Sequence, residues 1–381
     1  MKFLVLGGGA QGSACAFDLA RREGVEKVIL ADREISRPKP FLAPLVGGRL
    51  ELRAVDASDE GAVRAAMEGV DAVACALPYY FNLDMTRLAV EAGAHFSDLG
   101  GNTGIVDRQR GLHDGAVAAG VSAVPDCGLA PGMVNILAQG GIDALDAAES
   151  VKIFVGGLPQ DPKPPLNYQI VYSMEGVLDY YTTPVLVLED GAVAEKEALT
   201  GIEMVDFPEP VGTLEAFYTA GGISRMPYRY EGTIPSMAYK TLRYPGHAVL
   251  MKAMRDLGLF DLEPVQTESG PVVPRDVFID VVSPKLRNPE GNDLVAMRVE
   301  VTGTRGGAPR TVRYDMIDYY DREHGVTAME RTTGYSLAAT SYMQATGVVP
   351  AGVLTPAECI PVDAFVEELA GRGVVITRSE S

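Results

Sequence analysis

Near the start of the chain, Gly7-Gly8-Gly9-Ala10-Gln11-Gly12 places glycines at Gly7, Gly9 and Gly12 in the spacing GxGxxG, and Asp32 follows twenty residues after the last of them. This set suits the binding of a dinucleotide. Gly7 permits a tight turn, Gly9 lets the backbone approach a pyrophosphate, and Gly12 lets a helix pack closely on a strand. A helical pattern follows the turn at Ala14, Phe17, Asp18, Leu19 and Arg21. The N-terminus of that helix offers unpaired N–H groups and a partial positive charge to the phosphates, with Ala10 and Gln11 of the turn as further expected cofactor contacts. Asp32 is placed to accept hydrogen bonds from the adenosine ribose and to repel a 2′-phosphate, so NAD is the expected cofactor. Arg33 follows directly and is able to pair with a 2′-phosphate, which leaves NADP open. Glycine spacing alone is a weak signal, and the competing reading is a glycine-rich turn in an unrelated α/β domain. The surrounding order of strand, turn, helix, strand and acid is what gives the motif weight.

The elements that would hold these residues recur along the first half. Residues 2–6 form a short apolar run bounded by glycines, as a buried parallel strand does. Further strands are expected at 27–31, 49–55, 71–76, 94–97 and 121–124, with helices at 59–68, 82–92 and 105–119. Repeated βα units of this length predict a Rossmann fold, an α/β doubly wound parallel sheet. Ligands of such sheets lie beyond the carboxyl ends of the strands. Gly7–Gly12, Asp32, Pro78, Asp98–Gly101 and Asp126 should therefore share one crevice. Asp56, Leu77, Pro78, Asp98 and Gly100 join the glycine turn as expected cofactor contacts. Tyr79, Tyr80 and Phe81 would wall the nicotinamide pocket or serve domain packing.

After Gly128-Leu-Ala-Pro-Gly132 and a helix at 133–144 the pattern changes. A strand is expected at 151–155, and the Pro- and Gly-rich residues 156–165 read as an ordered loop. Alternating runs at 167–173, 184–190, 277–283, 294–302 and 311–319 predict a second α+β domain with a mixed or antiparallel sheet. A helix at 331–345 stops at Gly347, with Pro350 beyond it. A helix at 359–371 and a strand at 374–377 follow. The expected division is a dinucleotide-binding domain at 1–127, onto which 331–381 packs back, and a substrate-binding and oligomerisation domain at 128–330.

Composition agrees with two globular domains: 381 residues, 47 % hydrophobic and 22 % charged. A net charge of −18 repels phosphate backbones and anionic lipid, which argues against nucleic acid or a membrane as partner. Cys15, Cys75, Cys127 and Cys359 form no CxxC pair, and four scattered histidines offer no HxH or HxxxH, so neither a disulfide framework nor a metal site is expected. The opening apolar run is too short for a signal peptide, and no stretch reaches the length of a membrane span. A cytoplasmic location is expected.

Several longer stretches carry a resemblance: VLGGGAQG (5–12), SDLGG (97–101), PDCGLAPGM (125–133), VGGLPQDPKPPL (155–166), SMEGVLDYYT (173–182), LEAFYTAGG (214–222), YKTLRYPGH (239–247) and PRDV (274–277). With these the chain resembles, nearly end to end, the lysine 6-dehydrogenases of the saccharopine dehydrogenase-like family. The resemblance implies NAD-dependent oxidative deamination at the ε-amine of L-lysine, release of ammonia, and cyclisation of the semialdehyde product to a piperideine carboxylate. It also implies a homodimer or homotetramer assembled largely through the second domain. Tyr218 stands where some members carry His, and Arg225 lies in a segment that varies.

Such a reaction needs a neutral amine, while a lysine ammonium has a pKa of roughly 10.4. A base must take up that proton and later assist water. Asp126, Glu175, Lys240 and His247 are the candidates. Each has a plainer alternative: a turn for Asp126, a first helical turn capped by Ser173 for Glu175, an ion pair for Lys240, and loop orientation for His247. Arg243 is the first choice for holding an α-carboxylate, since a guanidinium grips one bidentately. Lys240, Arg225 and Arg331 are its rivals. Gly221 and Gly222 would allow close approach to substrate or form an ordinary turn, and Tyr79 completes the expected substrate contacts. The same cofactor domain would also serve an enzyme acting on a saccharopine-like or polyamine adduct, or a sensor without turnover.

Overall fold

The run Phe3-Leu4-Val5-Leu6 is apolar at four successive positions, and all four are buried. A strand covered on both faces requires that pattern. The run forms β1 (Lys2–Leu6) in this structure, a computed structural model that describes residues 1–171, 173–288 and 291–381. In chain order there follow α1 (Ala10–Arg21), β2 (Lys27–Asp32), β3 (Leu50–Ala54), α2 (Glu60–Met67), β4 (Ala72–Cys75), α3 (Asn82–Ala92), β5 (His95–Asp98), α4 (Thr103–Arg110), α5 (His113–Ala119), β6 (Ser122–Val124) and α6 (Met133–Asp143). The strands lie in the order β6-β5-β4-β1-β2-β3, all parallel. The chain therefore winds outward in both directions from β1, and the switch point lies between the carboxyl ends of β1 and β4. The helix expected over 105–119 is two helices, α4 and α5, because Gly111 caps the first and Leu112 restarts the second.

Next come β7 (Ala147–Pro159), α7 (Met174–Thr182), β8 (Val185–Glu189), β9 (Ala192–Lys196), β10 (Glu203–Asp206), β11 (Thr213–Tyr218), α8 (Met226–Tyr230), β12 (Ser236–Arg243) and α9 (His247–Asp256). A short hairpin, β13 (Val265–Thr267) and β14 (Gly270–Val272), precedes α10 (Pro274–Leu286), β15 (Asp293–Arg305) and β16 (Ala308–Tyr319). The chain closes with α11 (Ala328–Ala345), β17 (Gly352–Val353), α12 (Pro356–Cys359), α13 (Val362–Ala370) and β18 (Thr377–Glu380). β17 extends the parallel sheet beside β6. The second sheet runs β10-β11-β12-β7-β15-β16-β18, with β8 on β12 and β9 on β8. β12 and β7 are parallel and the other pairs antiparallel, so this sheet is mixed. The fold is a Rossmann unit plus an α+β unit.

Unit 1 contains Met1–Ala144, Ser224–Met226 and Asp321–Ile376, and unit 2 contains Leu145–Ile223, Pro227–Tyr320 and Thr377–Ser381. In unit 1, apolar side chains from β1, β4 and β5, among them Leu4, Val73 and Phe96, pack with Val63 and Leu88 of the covering helices. α11 lies against α1, where Gly334 leaves no room for a Cβ beside Ala14 and the Gln11 carbonyl. That close crossing anchors the helix that follows the glycine turn. Unit 2 holds separate clusters around Tyr181 and Phe217 and around Phe154 and Leu242.

Two expected strands are not strands. Residues 277–283 lie inside α10, because so short an apolar run does not separate helix from strand and Pro274 starts a helix well. Residues 167–171 and 173 are turn and loop, and Tyr172 lies outside the described residues. The last strand begins at Thr377 rather than 374. No helix among the described residues is long and apolar enough to cross a membrane.

Candidate functional site

The glycine turn is shaped by contacts that exclude side chains. Gly7 has φ +98°, and a Cβ there would meet the Ala76 carbonyl oxygen at 2.8 Å. A Cβ on Gly12 would strike the Gly7 carbonyl. Gly9 instead has open space around it, and α1 starts there without a side-chain cap. The first-turn N–H groups are thus left for an anion. The side-chain oxygen of Gln11 is buried without a hydrogen-bond partner. Open space at Gly9 and an uncapped helix N-terminus fit a bound dinucleotide phosphate. Asp32 ends β2, and its carboxylate accepts from the Gly8 N–H at 2.7 Å and the Glu34 N–H at 2.9 Å. Arg33 and Asp56 are both exposed. The Ser58 hydroxyl and N–H hold the Asp56 carboxyl below its ordinary range, with a smaller effect from Arg33.

Two acids end neighbouring strands of the same sheet. Asp98, the last residue of β5, is fully buried. Its Oδ1 accepts from the Gly100 N–H at 2.7 Å and the Asp126 N–H at 3.2 Å, and its Oδ2 accepts from Gln109 Nε2 at 2.6 Å. Burial still pushes the Asp98 carboxyl up to about 6. Asp126, just past β6, sits at φ +62° and is 2 % exposed. The Ser224 hydroxyl donates to Asp126 Oδ2, and the Gly101 N–H also bonds this carboxylate. Burial pushes the Asp126 carboxyl up to about 7; the Ser224 bond opposes that rise and the Asp98 charge adds to it. A buried carboxyl balanced near neutrality is able to accept and return a proton. Gly100 must be glycine, because a Cβ there would overlap Asp126 Oδ1.

The turn after Asp126 explains the GLAPGM stretch. Gly132 has φ +131°, and a Cβ on it would collide with the Gly128 backbone. Its N–H donates to Asn135 Oδ1 at 2.6 Å, which starts α6. Leu77 and Pro78 follow β4, and Tyr79 is largely exposed with its ring side against Gly101. Gly7–Gly12, Asp32, Leu77, Pro78, Asp98, Gly100 and Asp126 thus gather at the carboxyl edge of one parallel sheet.

The remaining expected residues lie in unit 2 and do not form one group. Side chains alternate along β12, so Tyr239, Thr241 and Arg243 share one face while Lys240 lies on the other. Arg243 is 2 % exposed, stands 4.8 Å over the Tyr168 ring, and donates to the Leu242 carbonyl at 2.9 Å. His247 is buried, with Nδ1 3.1 Å from the Leu166 carbonyl oxygen and Nε2 3.0 Å from the Tyr181 hydroxyl. Burial and the Arg243 charge push His247 down to about 3. Lys240 donates to Glu203 Oε1 and the Gly201 carbonyl, each at 2.6 Å. Gly221 and Gly222 make their close approach to the Tyr180 and Tyr239 rings. Glu175 is exposed in the first turn of α7, where Ser173 caps the Gly176 N–H.

Four residues that hold these sites escaped the sequence reading: Gln109, Ser224, Glu215 and Gly334. Glu215 lies opposite Arg243 across β11 and β12, and its carboxylate accepts from the Gly246 and Ala248 N–H groups at the start of α9. A small residue in α11 at the crossing with α1 was a readable signal for Gly334. For Ser224 and Gln109 no local pattern existed.

Residues 3–124 match the family profile described as "Saccharopine dehydrogenase NADP binding domain", and residues 128–374 match "Saccharopine dehydrogenase C-terminal domain". The chain is 25 % identical over 283 residues to a saccharopine dehydrogenase [NADP(+), L-glutamate-forming] of Schizosaccharomyces pombe, covering 71 % of this chain and 60 % of that one. It is 24 % identical over 310 residues to the enzyme of that name from Saccharomyces cerevisiae, covering 77 % and 66 %. The matched regions thus span less than two thirds of those relatives. Among solved structures, apo saccharopine dehydrogenase (L-Glu forming) from Saccharomyces cerevisiae superposes with TM-score 0.81 at 18 % identity, over 100 % of this chain and 99 % of that one. A homospermidine synthase of Legionella pneumophila in complex with NAD gives TM-score 0.71 at 12 % identity, over 100 % and 91 %.

Proposed function

Since this chain belongs to the saccharopine dehydrogenase family, we propose that it is a pyridine-dinucleotide oxidoreductase that oxidatively deaminates the ε-amine of L-lysine, with NAD as acceptor. The observation that carries the reading is Asp126, a buried carboxyl near neutrality at the carboxyl edge of a dinucleotide-binding sheet. Asp32 supports NAD: backbone N–H groups orient its carboxylate, and its remaining lone pairs suit ribose hydroxyls. The nicotinamide, when bound, takes up the hydride. Asp126 receives the proton that leaves the ammonium, so that the amine lone pair is free as the carbon–hydrogen bond breaks. Once that proton has passed to solvent, the same carboxylate takes a proton from the water that attacks the iminium carbon and returns it to the nitrogen as ammonia leaves. Aldehyde, ammonium, reduced cofactor and one proton balance the lysine ammonium, oxidised cofactor and water consumed.

A second reading rests on the names of the relatives, which are NADP-linked and L-glutamate-forming. In it this chain oxidises a secondary amine of the saccharopine type with NADP, and Arg33 pairs with the 2′-phosphate. One assay separates the two. Purified protein is given NAD or NADP with L-lysine, saccharopine and carboxylated polyamines. NADH formed with L-lysine, with the product trapped by an aminobenzaldehyde reagent, supports deamination. Turnover confined to saccharopine replaces it with the second reading. Nucleotide binding without oxidation of any amine would make the chain a sensor.

A further inference from the structure

The chain contributes three residues, Ser224–Met226, to unit 1, and all three are pinned there. The Ser224 hydroxyl bonds Asp126, the Arg225 guanidinium pairs with Asp107 of α4, and Met226 is buried. Ser224 holds φ +50° and Asp126 holds φ +62°, both in the left-handed region that ordinary side chains avoid. Two strained residues therefore meet through their side chains. Such strain persists only where the surroundings impose it, and it collects at functional sites. We propose that Ser224 is a positioning residue that holds Asp126 as an oriented, proton-accepting carboxylate.

This role for Ser224 rests on the reading of Asp126 as the base. A hydroxyl that donates to a carboxylate stabilises its ionised form and fixes which oxygen remains for other partners. Here Oδ2 accepts the Ser224 hydrogen bond, while Oδ1 lies against Gly100. The titratable groups around Asp126 are Asp98 at the end of β5 and Cys127 beside it, with Arg225 of the same pinned segment already paired to Asp107. Asp98 opposes ionisation of Asp126, and burial keeps the Cys127 thiol protonated. The Ser224 bond is thus the side-chain contribution that favours the charged form.

The test uses Ser224→Gly and Ser224→Ala in the full chain. Glycine removes the hydroxyl but relieves the positive φ, which offsets part of the lost hydrogen bond, so that variant should still fold. Aspartate labelled at Cγ with carbon-13 reports the titration of Asp126, whose signal is identified by its loss in Asp126→Asn. Both serine variants should move its midpoint upward by about one pH unit, the effect of one charge-assisted hydrogen bond. The low-pH limb of kcat/KM for the amine substrate should move by the same amount. Ser224→Ala should also melt below Ser224→Gly, since only alanine keeps the strain. A midpoint that stays in place in both variants overturns the proposal. A midpoint that shifts while Asp126→Asn retains full activity upholds the hold of Ser224 on Asp126 and removes Asp126 as base, which separates the two ideas.

Discussion

Replacing Asp126 by Asn keeps the side chain's shape and removes its charge, and Asn is among the few residues that tolerate the φ of +62° found there. In the folded protein the carboxyl is pushed up from 3.8 to about 7, chiefly by burial. That gap is about 3 pH units, and each unit corresponds to about 1.4 kcal/mol. The folded-state value lies above the unfolded one, so the folded protein holds this proton more tightly. The resulting stabilisation is complete below the unfolded value and is lost as pH rises through the folded value. Across the whole window the loss is about 4 kcal/mol, and between pH 5 and pH 8 it is about 2–3 kcal/mol. Asp126→Asn does not titrate and should escape this loss. Urea unfolding of both proteins at pH 5 and pH 8 measures it, because other titrating groups largely cancel in the comparison. The variant should gain about 2–3 kcal/mol on the parent between the two conditions, while its turnover of the amine at pH 8 falls by roughly 10²–10⁴-fold. A stability gap between parent and variant that is equal at pH 5 and pH 8 would refute the argument, since Asp126 would then ionise alike in both states.

Further outcomes follow from other parts of the structure. Gly12→Ala forces a methyl onto the Gly7 carbonyl and should lower stability by about 1–3 kcal/mol and abolish NADH binding, read by fluorescence quenching; binding at parental strength would show that the turn does not hold the pyrophosphate. Asp32→Ala should cut the NAD-over-NADP preference in kcat/KM by about tenfold or more, equivalent to about 1.4 kcal/mol, and an unchanged ratio would mean that Asp32 does not touch the ribose. His247 has a folded-state value depressed to about 3 from 6.5, so its contribution is present above 6.5 and is lost as pH falls towards 3. Relative to His247→Asn, the parent should lose about 2 kcal/mol between pH 7 and pH 5 in urea unfolding; parallel curves would show that the imidazole ionises freely.

The first unit was legible because its signals are local. Four apolar residues, a glycine spacing and an acid twenty residues on fall within one strand–helix–strand unit, and β2 ends at Asp32 as read. The second unit was less so. The apolar run at 277–283 suited either element type, and only the helical length from Pro274 decided it. β10, β11 and β12 and the helix α9 were not anticipated, and without β12 as a strand nothing shows that Lys240 and Arg243 diverge onto opposite faces.

By itself, the order of residues determined the dinucleotide turn, the parallel sheet and the family, since each is written in contiguous stretches whose backbone conformation depends on near neighbours. Tertiary structure alone decided the surroundings of Asp126. Its neighbour Asp98 is 28 positions away, and its hydrogen-bond donor Ser224 is 98 positions away. Whether a carboxyl accepts a proton near neutrality depends on burial and on the charges and donors within a few ångströms, and those distances exist only once the chain has folded.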